Sequence, residues 1–205
     1  MNLFLCFRRR RHAKTDLLMG SSQPNQTDIV ASWVVPMKNR EYKIEFEHGT
    51  TTGKRVIRVD GVEILRREWM FKLVGREIFE LDGMRCLITV EALGIFAYEY
   101  SLEVNGKAFK KFREQQNKRL MTWFADVEGN ECRICLEKET MDVWVNGLKM
   151  ETTGEFTEEG TVTHFTHGNT HCCFKAVNSG KRNVGIIHEL YVNSRKVDQA
   201  KQIFP

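Results

Sequence analysis

Proline is scarce in this chain of 205 residues, with three in all, and none interrupts the stretches that alternate like strands. No apolar run approaches the roughly 20 residues that a membrane-spanning helix needs, so an integral membrane segment is not expected. The six cysteines are too few and too awkwardly spaced for a disulfide framework; Cys172 and Cys173 are neighbours, and on a strand they face opposite sides. A basic body is missing as well. The net charge is +4, but residues 1–26 hold Arg8, Arg9, Arg10, Arg11 and Lys14 against Asp16 alone, leaving 26 basic and 26 acidic residues beyond them. A duplex reader concentrates basic charge on its folded domain, so nucleic acid is not an expected partner. Helical periodicity is absent too: no window repeats apolar residues at i, i+3, i+4 and i+7.

What is present is period-two alternation. Phe96, Tyr98, Tyr100, Leu102 and Val104 alternate with Ala97, Glu99, Ser101 and Glu103, and Tyr42, Ile44 and Phe46 alternate with Lys43, Glu45 and Glu47. Each is a strand with one buried and one wet face. Asp60-Gly61, Asn105-Gly106 and Asn146-Gly147 carry the chemistry of two-residue hairpin turns. Spacing then points to a duplication. Trp33 precedes Ile44 by the interval that separates Trp123 from Ile134, and the paired turns are displaced by similar amounts. The fold class is therefore all-β: two tandem antiparallel β-sandwich domains related by internal duplication. The polar stretch from Lys110 to Arg119 separates them. The organisation expected is a disordered basic leader at 1–26, an N-terminal sandwich at 27–112, a linker at 113–119 and a C-terminal sandwich at 120–205.

The leader has its apolar residues Leu3, Phe4, Leu5 and Phe7 before its arginines, the reverse of a secretory signal. Cys6 beside that basic run is a lipidation candidate, and peripheral contact with anionic lipid follows from it. The sequon at Asn25 matters only in a secreted chain; a cytoplasmic location is the expectation.

Chemistry-bearing patterns are sparse. Residues 49–55 look like a phosphate loop, but only three residues separate Gly49 from Gly53, and Lys54 is followed by Arg55. Lys54-Arg55 and Lys181-Arg182 are basic hairpin tips and partner-binding candidates through charge-assisted bonds. Cys132 and Cys135 lie three apart on a strand, hence on opposite faces. His167 and His171 flank a short turn and, with Cys172, form a metal-site candidate for zinc or copper; His164, three positions from His167, tends to oppose it. Trp69, Phe71, Leu73 and Trp144 belong either to core and inter-domain packing, the default, or to a recognition surface. No nucleophile–base–acid signature is present, so the expectation is a binding module without catalytic residues or a cofactor.

Several segments resemble the Fas apoptotic inhibitory molecule family: residues 44–51, Lys54-Arg55-Val56, Glu68-Trp69-Met70-Phe71-Lys72-Leu73-Val74-Gly75 and residues 96–100, then residues 136–138, 141–144, 154–156, 163–165 and 185–188. The resemblance runs from about Thr27 to Asp198. Departures are Val145, where the family usually has cysteine, and the turn at 168–171. The resemblance implies a non-enzymatic cytosolic regulator that inhibits death-receptor (Fas)-mediated apoptosis through protein–protein binding, and that also counteracts aggregation of ubiquitinated, stressed proteins. Its partners would be apoptotic signalling components or such aggregation-prone clients. The alternative is a metal-binding stress protein using the histidine/cysteine hairpin of the second domain.

Overall fold

The computed structural model describes residues 29–94, 97–182 and 184–200. Four antiparallel sheets make up the body. The first contains β1 (Ile29–Pro36), β2 (Glu41–His48), β3 (Arg55–Val59) and β4 (Val62–Arg67); the second contains β5 (Gly75–Leu81), β6 (Met84–Ala92), β7 (Tyr98–Val104) and β8 (Lys107–Ala108). After helix α1 (Phe109–Arg119) come β9 (Leu120–Val127), β10 (Asn130–Glu137), β11 (Asp142–Val145) and β12 (Leu148–Lys149). The last sheet is β13 (Thr153–Thr157), β14 (Gly160–His167), β15 (Thr170–Asn178), β16 (Ile186–Val192) and β17 (Arg195–Val197). Strands adjacent in sequence are adjacent in every sheet.

Alternation decides which side chains meet. Tyr42, Ile44 and Phe46 of β2 pack with Ile57 of β3 against Cys86, Ile88 and Val90 of β6 and Leu102 and Val104 of β7. Trp123, Ile134, Leu136, Val143 and Val145 pack against Phe165, Cys172, Phe174, Leu190 and Val192 in a second core. Each core thus lies between two facing sheets, the sandwich arrangement. Burial of each large aliphatic side chain contributes about 1.5–3 kcal/mol.

The halves repeat one register. Trp33 faces Ile44 and Ile44 faces Val59; Trp123 faces Ile134 and Ile134 faces Val145. The turns repeat too. Asp60, Asn105 and Asn146 have φ near +50°, and each accepts a backbone N–H from the partner strand: from Lys43 at 2.8 Å, Arg85 at 3.0 Å and Arg133 at 2.9 Å. Each also donates its own N–H to the carbonyl of the same residue. This two-way clamp holds the hairpin register.

One expectation needs correction. The polar stretch after Ala108 forms α1, whose Phe112 is buried in the first core. Its apolar signal is short because only Phe109 and Phe112, three apart, face the sheets, and tertiary packing outweighs the missing periodicity. Lys118 and Arg119 occupy its last turn, where they favour the negative end of the helix dipole. Cys6, the sequon at Asn25 and the basic leader lie outside the described residues, as does Phe96.

The halves also touch. Arg133 donates to the carbonyls of Met37 and Lys38, both at 3.0 Å. The Lys38 ammonium sits 4.6 Å from the Trp144 ring centroid, so Trp144 packs at this junction. Among the described residues, no helix is long and apolar enough to cross a membrane.

Candidate functional site

One end of the first core is polar. The inward-facing residues of β2 are Tyr42, Ile44, Phe46 and then His48; those of β3 are Arg55 and Ile57; those of β5 include Glu77 and Leu81. Strand parity therefore delivers an imidazole, a guanidinium and a carboxylate to the same end. Arg55 is 1% exposed and donates from Nη1 to Glu77 Oε1 at 2.9 Å. Its Nη2 lies 3.3 Å from the carbonyl of Lys72. Arg67 Nε reaches the other oxygen of Glu77 at 3.4 Å. His48 Nδ1 is 3.0 Å from the Tyr100 hydroxyl, and its ring meets Tyr98 and Tyr100 edge-on. Burial and the nearby Arg55 charge hold His48 below the ordinary histidine range.

Above this end runs the segment joining β4 to β5, residues 68–74. Its Met70 N–H donates to the Thr52 carbonyl at 3.1 Å, and Arg55 holds Lys72 as described. Gly53 is required below it. With φ at +69°, a Cβ there would stand 2.1 Å from the Met70 carbonyl oxygen. Pinned at two backbone positions, the segment presents Trp69 at 71% exposure and Phe71 at 103%. Packing was the default expectation for both; the structure puts them on the surface instead. Lys72, next to Phe71, and Arg76, near the start of β5, are exposed as well.

The Lys54-Arg55 expectation is corrected in half. Arg55 is no exposed tip, because its parity on β3 matches Ile57 and turns it inward. Lys54 is 31% exposed and pairs with Glu47 at 3.2 Å. Burial pushes the Glu47 carboxyl up, but hydrogen bonds from Arg58 and Lys54 outweigh this and leave it below its ordinary range. Residues 49–54 form a hairpin loop leading into β3, not the strand-to-helix turn of a phosphate site. Lys181 and Arg182 are exposed in the connection from β15 to β16, braced by Ser179 Oγ accepting the Lys181 N–H at 3.2 Å.

The metal-site candidates are not brought together. His167 faces Thr170, and His171 faces Thr166. Cys172 is buried in the second core, its thiol pushed up to about 11 by burial. The tip between the two histidines is held by Glu128, whose Oε1 accepts the Asn169 N–H at 2.7 Å. His171 instead meets His164: Nδ1 of His164 lies 3.2 Å from Nε2 of His171, and His164 Nε2 lies 3.2 Å from Glu155 Oε2. Among the described residues, no group of three or more His, Cys, Asp and Glu side chains is assembled as a ready metal cage. Cys132 joins the second core while Cys135 sits on the opposite face of β10, as their spacing dictates. Cys86, Cys132, Cys135, Cys172 and Cys173 are all free thiols.

The model of the Fas apoptotic inhibitory molecule family matches residues 29–200. The chain is 53% identical over 178 residues to Fas apoptotic inhibitory molecule 1 of Mus musculus, covering 86% of this chain and 99% of the mouse protein. It is likewise 53% identical over 175 residues to the Homo sapiens protein of the same name, covering 84% and 98%. The Rattus norvegicus protein is 52% identical over 183 residues, covering 88% and 91%. A match that spans both cores, the polar end of the first and the joining helix makes this chain a member of the Fas apoptotic inhibitory molecule family.

Proposed function

We infer that the protein inhibits Fas-mediated apoptosis in the cytoplasm by binding other proteins, and that the segment bearing Trp69 and Phe71 is its principal contact. The observation that carries this is two large aromatic side chains held in solvent by a buried ionic anchor. Ordinary exposed apolar residues need no explanation, but a rigidly mounted Trp/Phe pair has the composition of a binding hot spot. Preorganisation lowers the ordering cost of binding. Lys72 and Arg76 favour an apolar partner segment with acidic neighbours. Lys54, Lys181 and Arg182 supply further cations for contacts of the same sign. The same aromatic surface suits the exposed apolar stretches of stressed, ubiquitinated proteins, which is how one module would also restrain aggregation. The free thiols fit a reducing compartment, and the names of the relatives support the anti-apoptotic role.

The test is a cell-death assay with the full chain. Cells expressing the wild type, Trp69→Ser/Phe71→Ser or Lys181→Glu/Arg182→Glu are challenged with a Fas agonist. Protection should be lost in the aromatic double variant at unchanged expression and melting temperature. Full protection by that variant refutes the assignment of the contact.

A further inference from the structure

We propose that His164 and His171 form a two-imidazole site for a divalent transition ion of the zinc or copper class, with Glu155 as the group that orients it. This is independent of the aromatic segment, which belongs to the other half of the chain. Three strands build the arrangement. His164 on β14 faces Thr153 of β13 on one side and Cys173 of β15 on the other. Glu155 is two residues beyond Thr153 and His171 two residues before Cys173, so all three side chains emerge from the outer face of the sheet as diagonal neighbours.

The geometry suits a metal. Zinc binds imidazole nitrogen at about 2.0–2.1 Å, so two nitrogens on one tetrahedral ion stand about 3.3–3.4 Å apart. His164 Nδ1 and His171 Nε2 are separated by 3.2 Å, with ring centroids 5.2 Å apart and the planes inclined by 38°. Without an ion the same spacing is a long hydrogen bond, near the upper end of the ordinary range. Glu155 removes one ambiguity. As a carboxylate it accepts, so His164 carries its proton on Nε2 and turns the Nδ1 lone pair toward His171. A carboxylate on the outer nitrogen of a ligating histidine is the common second partner of metal sites; it fixes the tautomer and raises ligand basicity. His171 becomes the second ligand when its proton resides on Nδ1, a tautomeric change that needs no net proton loss. His164 also lines an open cleft with Lys149, Met150, Glu151, Thr153 and Thr166.

Isothermal titration of the full, metal-free chain with Zn2+ at neutral pH tests the site, with Co2+ absorption as a spectroscopic check. The wild type should take up one equivalent. His164→Asn and His171→Asn should each abolish that uptake, and Glu155→Gln should weaken it about 10–100-fold. His167→Asn should bind as the wild type does. All four residues are at the surface, and melts of each variant confirm that the fold is kept. Absence of one-equivalent binding by the wild type overturns the proposal. So does undiminished affinity in either His164→Asn or His171→Asn, or loss on His167→Asn, which would move the ion to the hairpin tip.

Discussion

Replacing Arg55 by alanine should destabilise the first sandwich far more than a loop position would suggest. The guanidinium is 1% exposed and bonded to a Glu77 carboxylate that is itself 4% exposed. Removing one partner of a buried ion pair costs about 3–5 kcal/mol, because the remaining charge stays desolvated. Arg67 Nε, 3.4 Å from the other oxygen of Glu77, compensates in part and places the loss toward the lower end, at roughly 3 kcal/mol. Urea unfolding of the full chain measures it. The double variant Arg55→Met/Glu77→Leu, which removes both charges while keeping apolar bulk, should recover most of the stability. Amide exchange adds a local readout. The Met70 N–H should lose protection in Arg55→Ala beyond what the global change accounts for, since its segment is anchored through Lys72. A loss below about 1 kcal/mol, the range of an exposed pair, would refute the burial argument. So would a double variant no more stable than Arg55→Ala.

Two further outcomes follow from the cores. Burial holds His48 and His188 below the ordinary histidine value, so the unfolded chain binds these protons first. Stability should be full above the unfolded value of about 6.5 and fall as pH drops below it, by up to about 1.4 kcal/mol per pH unit for each histidine; His48→Gln should flatten its share of the slope in urea titrations at several pH values, and an unchanged slope would refute it. We also propose that each half folds alone once the first retains its helix: the fragment 27–119 should melt cooperatively, whereas 27–112, which keeps Phe112 but loses the helical turns that hold it, should be measurably weaker by calorimetry. Equal melts would mean that α1 contributes nothing to the first core.

Strands, turns and the duplication were legible because each has a local cause: alternation sets faces, and Asp-Gly or Asn-Gly sets a turn. Arg55 was legible too. Counting by twos from Ile57 turns Arg55 inward, and counting by twos from Leu81 does the same for Glu77, so opposite charges on two inner faces already imply a buried pair. Charge suggested solvent; parity decided otherwise. Trp69 and Phe71 were harder. Their exposure arises from Gly53, Thr52 and Arg55 pinning residues 68–74 from another part of the chain, and no window around Trp69 contains that information. The histidine pair failed for a related reason. Two-residue turn register places His171 opposite Thr166, not beside His167, and the diagonal partner His164 appears only once that register is known. Helix α1 stayed hidden because Phe109 and Phe112 are its whole apolar signal.

The sequential order of strands in all four sheets has a kinetic consequence. Each pairing joins neighbours along the chain, so every hairpin closes a short loop, and topologies of low contact order fold quickly. A duplicated chain runs a particular risk on the way: because β2 matches β10 and β3 matches β11, β2 can pair with β11, or β10 with β3, across the halves and trap a misassembled intermediate. Such a swap requires closure of a loop of about ninety residues, which costs more entropy than a two-residue turn. The Asp60, Asn105 and Asn146 clamps each tie a turn to a strand of the same half and so favour pairing within one copy. They let each copy commit to its own strands while the other is still uncoiled or still emerging from the ribosome.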